Sequence, residues 1–268
     1  MSKDFLANAF DGWQAAVGEV LLNVEFIESA ATLRPRLGGY LAWNTVDEDA
    51  KKLLRSFMGA RCDASTSYEG LFVRLVGAFE EFMRRIVRDA VVAINDSKAT
   101  FERIREGLRN RNRNCVGQAL TTVFEPVDFH RLDFDRLCRE LGTCVPEAEG
   151  VTLSADAFGI AVRGIAADRI ESAFNLLGAK LDWDKLAESE DLKEALGTRR
   201  PRETARAAKE RLQTIQSRRN GYAHTGIGGL AISAQDVRAA AAFFSGLAAA
   251  LKGRMERAVA EAHVPAGR

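Results

Sequence analysis

Proline, histidine and cysteine are all scarce here, with five, three and four copies in 268 residues. So few prolines leave room for long helices, and no run of alternating Val, Ile and Thr is long enough to build a sheet, which excludes an all-β fold. The cysteines (Cys62, Cys115, Cys138 and Cys144) form no CxxC pair and have no histidine beside them. Neither a zinc site nor a disulfide framework is expected, and all four read as reduced thiols. Long apolar runs are absent too. The most apolar stretch, Ala239 to Leu251, is closed by Arg238 and Lys252, short of the roughly 20 residues that span a bilayer. It reads as a core helix, with no membrane partner expected. The N-terminus carries Lys3 and Asp4 but no apolar stretch with a cleavage site, so a cytoplasmic protein is expected. Neither sign of charge dominates: 38 Lys+Arg face 37 Asp+Glu, and 47% of the residues are hydrophobic. That balance fits a globular chain with a real core rather than a disordered one.

What the chain does have is charge sorted into blocks. Arg103 to Arg113 holds five arginines and one acid; Arg199 to Arg219 holds eight basic residues and two acids; Asp182 to Glu194 holds six acids and two lysines. Such blocks are commonly solvated helix faces. The functional alternative is a surface that attracts a polyanion although the whole molecule does not. Arginine outnumbers lysine in both basic blocks, which suits bidentate phosphate contact. Arg109, Arg111, Arg113, Arg199, Arg200 and Arg218 are the candidate polyanion-contacting residues on this reading.

The pattern of apolar residues predicts helices throughout. Residues 1–62 read as an N-terminal segment of two helices separated at Pro35-Arg-Leu-Gly-Gly, the second opened by Thr45-Val-Asp-Glu. Residues 63–262 read as one helical domain, and 263–268 as a flexible tail. Within that domain Phe72, Leu75, Phe79, Phe82, Ile86, Ala90 and Ile94 recur at three- and four-residue spacing, so one face of that helix must pack. A basic helix follows and stops before Pro126, with further helices expected over Phe134 to Leu141 and Gly164 to Leu177. The last third holds two more. One runs from about Arg202 with Ala205, Ala208, Leu212 and Ile215 on a stripe; the other is announced by Ser233-Ala-Gln-Asp236, a capping box with Asp in place of Glu.

The stripe of the first of these two helices continues onto Arg219 and Tyr222, which puts an arginine at a core-like position, where it is almost never left unpaired. Five residues on stands His224, whose position is about 140° around the helix from Arg219. A site using both side chains is therefore easier to build from two copies of the chain. At this composition, an Arg-Asn-x3-His string is expected by chance only about 0.01 times, against about 0.3 for the bare Arg-x4-His pair. His130 and His263 stand in no such pattern.

The string Arg219-Asn-Gly-Tyr-Ala-His224, placed at a helix end and followed through a Gly-containing loop by an amphipathic closing helix, resembles the signature of HEPN domains, most of all the RiboL-PSP branch. The resemblance covers roughly residues 66 to 260 and leaves the first 60 unmatched. It implies an all-α, HEPN-type helical bundle with extra N-terminal helices, acting as a homodimer in which two Arg-x4-His motifs line one cleft. It also implies a metal-independent endoribonuclease without a cofactor, a toxin or antiphage effector cutting tRNA or mRNA, with an antitoxin or defence-system partner as its restraint. Carried over by residue, Arg219, Asn220 and His224 form the catalytic set. Glu80 and Arg84, in Glu80-Glu-Phe-Met-Arg84-Arg85, resemble an accessory pair of some family members, although Glu-x3-Arg is also an ordinary helix ion pair.

The chemistry suits these residues. RNA carries its own nucleophile, the 2′-hydroxyl, so cleavage needs a group to move its proton and a cation to stabilise the phosphorane. Histidine, with an unperturbed pKa near 6.5, serves the first role and a permanently charged guanidinium the second. Asn220 would orient phosphate or imidazole, and Tyr222 would stack on a base or fill the core. The competing roles are a C-terminal histidine meeting the helix dipole and an arginine bonding last-turn carbonyls. A noncatalytic helical module that binds RNA or nucleotides, or docks a partner, is the other expectation from this sequence.

Overall fold

The computed structural model describes residues 5–40, 47–59, 64–96, 104–122, 132–145, 150–225 and 231–262. For 34–40, 53, 54, 56–59, 64, 65, 122 and 223–225 it describes the helical backbone alone. Among the described residues there are eleven helices and no strand: α1 (Ala7–Tyr40), α2 (Glu48–Gly59), α3 (Ala64–Asp96), α4 (Glu106–Thr122), α5 (Phe134–Gly142), α6 (Ala155–Ala161), α7 (Ala167–Leu176), α8 (Trp183–Leu186), α9 (Glu190–Leu196), α10 (Pro201–Thr225) and α11 (Ala234–Glu261). The all-α expectation holds, and no described helix is long and apolar enough to cross a membrane. Cys62, His130, His263 and the 263–268 tail lie outside the described residues.

The core is built where α1, α3 and α11 meet. On α3 the expected stripe is buried, Phe72, Leu75, Phe79, Phe82, Ile86, Ala90 and Ile94 each being at most 2% exposed. Phe79 stacks on Phe244 of α11 at 4.3 Å between centroids, and Trp13 of α1 meets Phe79 edge-on at 5.5 Å. Each such pair contributes about 0.5–1.5 kcal/mol beyond the burial itself. Leu6, Ala9, Trp13, Val17, Val20 and Val24 bury one face of α1 in this same core. A boundary at residue 62 therefore separates no cores: the first helix is part of the domain.

α1 also corrects the expected break at Pro35. Its backbone stays helical through Tyr40, so Pro35-Arg-Leu-Gly-Gly lies in the last turns of the helix rather than between two helices. A proline inside a helix removes one ladder bond and sets its ring against the carbonyl four residues back, at about 3 kcal/mol, and α1 runs on past it all the same. α1 runs antiparallel to α3: Glu19 pairs with Arg74 at 2.7 Å, while Glu28, further along α1, acts electrostatically on Tyr68, nearer the start of α3.

The short helices α6, α8 and α9 were not legible as periodic patterns. The acidic block from Asp182 to Glu194 proves to be helix starts. Asp182 caps α8, its carboxylate accepting from the Asp184 and Lys185 amides, and Glu190 and Asp191 sit in the first turn of α9, where acids complement the helix dipole.

Candidate functional site

The motif occupies the C-terminal end of α10. Ala205, Ala208, Leu212 and Ile215 bury that helix, and the line then rises out of the core. Arg219 and Asn220 are partly exposed, and Tyr222 packs against the core edge. Burial pushes the Tyr222 hydroxyl up, reinforced by the nearby Glu69 carboxylate of α3. The packed position favours the core-filling role for Tyr222 over base stacking.

The two adjacent arginines have different partners. Arg218 donates to Asp236 Oδ1 of α11 at 2.8 Å. Arg219 makes no ion pair among the described residues; its guanidinium donates to Asn220 Oδ1 at 3.3 Å. That contact occupies the amide oxygen as an acceptor, while the Asn220 NH2 group is a donor. The last-turn backbone of α10 includes His224, whose side chain lies outside what the structure describes.

Asp236 ties the motif end together. The capping box foreseen at Ser233 is present: the Ser233 hydroxyl accepts from the Asp236 amide at 3.1 Å, and the Asp236 carboxylate accepts from the Ser233 amide at 3.0 Å. Burial pushes this carboxyl up, but the hydrogen bonds from Ser233 and Arg218 outweigh burial and hold it at about 2. One carboxylate thus starts α11 and anchors the end of α10, a role the sequence hinted at only through the cap.

Glu80 and Arg84 do form a pair, at 2.8 Å, but they serve the scaffold. Glu80 also accepts from the Gly164 amide at 3.0 Å, and Arg84 donates to the Val162 carbonyl at 3.3 Å, so the two fasten the segment after α6 to α3. Along α3, Glu80 lies eleven residues from Glu69, which marks the motif end, or about 16 Å of helix rise. The structure does not bring this pair to Arg219.

The basic blocks are dispersed rather than gathered. α4 packs chiefly on α5 and α6, whereas α10 packs on α3, α7, α8 and α9. In α4, Arg109 donates to the Ile104 carbonyl, and Arg113 donates to the Cys144 carbonyl at 2.6 Å and to Asn110 at 3.1 Å. Arg111 is half-buried. Arg199 and Arg200 are exposed just before α10, about 27 Å of helix rise from Arg218. Midway between them, Lys209 lies 5.1 Å over the Trp183 ring and 3.4 Å from Glu171. Among the described residues no three His, Cys, Asp or Glu side chains converge as a metal site. No family model, no curated protein and no solved structure matches the chain.

Proposed function

We propose that the chain is a metal-independent endoribonuclease of the HEPN type, acting as a toxin or antiphage effector on tRNA or mRNA, with Arg219, Asn220 and His224 as its catalytic residues. The observation that carries this reading is the contrast between neighbours. Arg218 is neutralised by Asp236, while Arg219, one position on, is partly exposed and, among the described residues, bonded to the neutral Asn220 alone. An arginine kept near a surface and free of carboxylates can stabilise a phosphorane, because its charge is not already offset.

In this mechanism the His224 imidazole takes the proton of the 2′-hydroxyl. The 2′-oxygen attacks phosphorus, the bond from phosphorus to the 5′-oxygen breaks, and the leaving oxygen receives a proton. The products are a 2′,3′-cyclic phosphate and a 5′-hydroxyl. Arg219 stabilises the charge on the phosphorane, and the Asn220 NH2 donates to a phosphate oxygen. The angular separation of about 140° between positions 219 and 224 means one chain offers half a site on each side of the helix, which a homodimer would complete.

The test is incubation of wild-type, Arg219→Ala and His224→Ala proteins with total bacterial RNA in EDTA, followed by sequencing of fragment ends. Discrete cuts bearing cyclic-phosphate ends in the wild type alone support the assignment. Cleavage that persists in His224→Ala, needs a divalent metal or leaves 5′-phosphates overturns it. No cleavage by any of the three favours the noncatalytic RNA-binding or docking module.

A further inference from the structure

α1 and α9 both pack on α11, and a groove of about 580 Å³ lies where the three helices border one another. That volume is in the range of small-molecule sites. α11 lines it with the small residues Ala242, Ser245 and Gly246, which leave the space open. α1 contributes aromatic rings, Phe10 and Trp13, and α9 contributes carboxylates, Asp191 and Glu194. Ser245 lies nine residues along α11 from Asp236, about 14 Å of rise, so the groove is separate from the motif end.

Two observations point to what would fill it. The first is the Trp13 indole. Trp13 is 2% exposed, and its Nε1–H has no hydrogen-bond acceptor among the described residues. The indole of Trp183, by contrast, donates to Glu171 at 2.6 Å, as a buried tryptophan normally does. A buried donor left unpaired costs about 1–3 kcal/mol. A ligand that brings an acceptor to the indole removes that cost.

The second observation is the charge. Asp191 and Glu194 are exposed and neither forms an ion pair among the described residues, while Lys193 between them is taken by Glu190 at 2.8 Å. Among the described residues no basic side chain lines the groove. The aromatic side already attracts an ammonium group, since Lys252 Nζ lies 5.3 Å over the Phe10 ring. Uncompensated carboxylates together with aromatic rings favour a cation and repel an anion.

We propose that this groove binds a small organic amine that carries an apolar body and a hydrogen-bond acceptor. The ammonium group meets Asp191 and Glu194, the body lies against Phe10 and Trp13, and the acceptor takes the Trp13 indole N–H. That nitrogen is covered in the empty groove, so binding includes a small turn of the ring that presents it. This inference does not depend on the ribonuclease reading.

Titration of the full chain with tyramine tests it, because its ammonium, ring and hydroxyl supply the three features. Calorimetry gives the affinity. The Trp13 indole N–H shift, assigned through the neighbouring Phe79 and Phe244 rings, reports the contact. Tyramine is expected to bind with a Kd below about 1 mM and to move that signal. 4-Ethylphenol, the same body without the amine, should bind at least tenfold more weakly, the loss of a charge-assisted hydrogen bond. Asp191→Asn with Glu194→Gln should weaken tyramine binding by a similar factor with far-UV circular dichroism unchanged. Ala242→Leu, an exposed position that would fill the groove, should abolish binding at an unchanged melting temperature. No binding up to about 10 mM, equal affinity for tyramine and 4-ethylphenol, or undiminished binding by either variant overturns the proposal. Binding that leaves the Trp13 signal in place overturns the role of its indole. All of these are read without RNA, so their outcome and the cleavage assay fail separately.

Discussion

Arg218 at the end of α10 and Asp236 at the start of α11 meet at 2.8 Å, and the same Asp236 carboxylate closes the capping box with Ser233. A single side chain thereby sets the angle at which the motif helix hands over to the closing helix. Because three donors converge on it, its charge state is coupled to the position of the motif.

The coupling predicts an acid-sensitive motif end. The Asp236 carboxyl is held at about 2 in the folded chain, below the ordinary unfolded value near 3.9. A depressed carboxyl stabilises the fold above its unfolded value, and that stabilisation is lost as pH falls from about 4 through 2. Asp236→Asn should flatten this part of the acid-unfolding curve and cost about 1 kcal/mol at neutral pH, measured by urea titration at several pH values. An acid limb identical to wild type would contradict this role.

Glu80→Ala should lower stability by about 1–2 kcal/mol, since it leaves the Gly164 amide without its acceptor and Arg84 with only its longer contact to Glu81, at 3.8 Å. The cleavage rate per folded molecule should be unchanged. A fall in rate at unchanged stability would return Glu80 to the accessory role.

Asn112 is fully buried, donating to Cys144 Sγ at 3.1 Å and accepting from the Ser154 amide at 2.7 Å. Asn112→Ala should cost about 1–3 kcal/mol by stranding that amide, a drop of several degrees in melting temperature for a chain of this size. A melting temperature within one degree of wild type would show that water replaces the amide.

Gly246 allows α11 to touch α9: a Cβ there would stand 2.8 Å from the Asp191 carbonyl oxygen and 3.1 Å from Leu192 Cα. Since backbone must shift, Gly246→Ala should cost about 1–3 kcal/mol. At Gly159 the obstacle is the root of the Arg88 side chain, with Cγ at 2.6 Å and Cδ at 2.7 Å, so Arg88 must change rotamer against its ion pair with Asp156; with no backbone shift needed, Gly159→Ala should cost less. Thermal melts of both variants decide the order, and the reverse order would show that α9 yields more readily than Arg88.

Much of the framework could be read from local pattern. The α3 stripe, the α10 stripe and the box at Ser233 all depend on residues three or four apart, and that spacing is dictated by the helix itself. Pro35 misled because an interior proline, although it costs about 3 kcal/mol, does not always end a helix, and α1 continues through it to Tyr40. The acidic block carried more than its composition showed: Asp182, Glu190 and Asp191 each serve a helix start.

By itself, then, the sequence determined an all-helical chain, the helix that carries Arg219 and His224, and the cap that follows it, because those features are properties of consecutive turns. Only the tertiary structure decided which charges are already used. Arg218 meets Asp236 across 18 residues of chain, Arg113 meets Cys144 across 31, and Glu80 meets Gly164 across 84. A basic residue is available to a phosphate only if no carboxylate or carbonyl from elsewhere has claimed it, and that depends on how the helices pack.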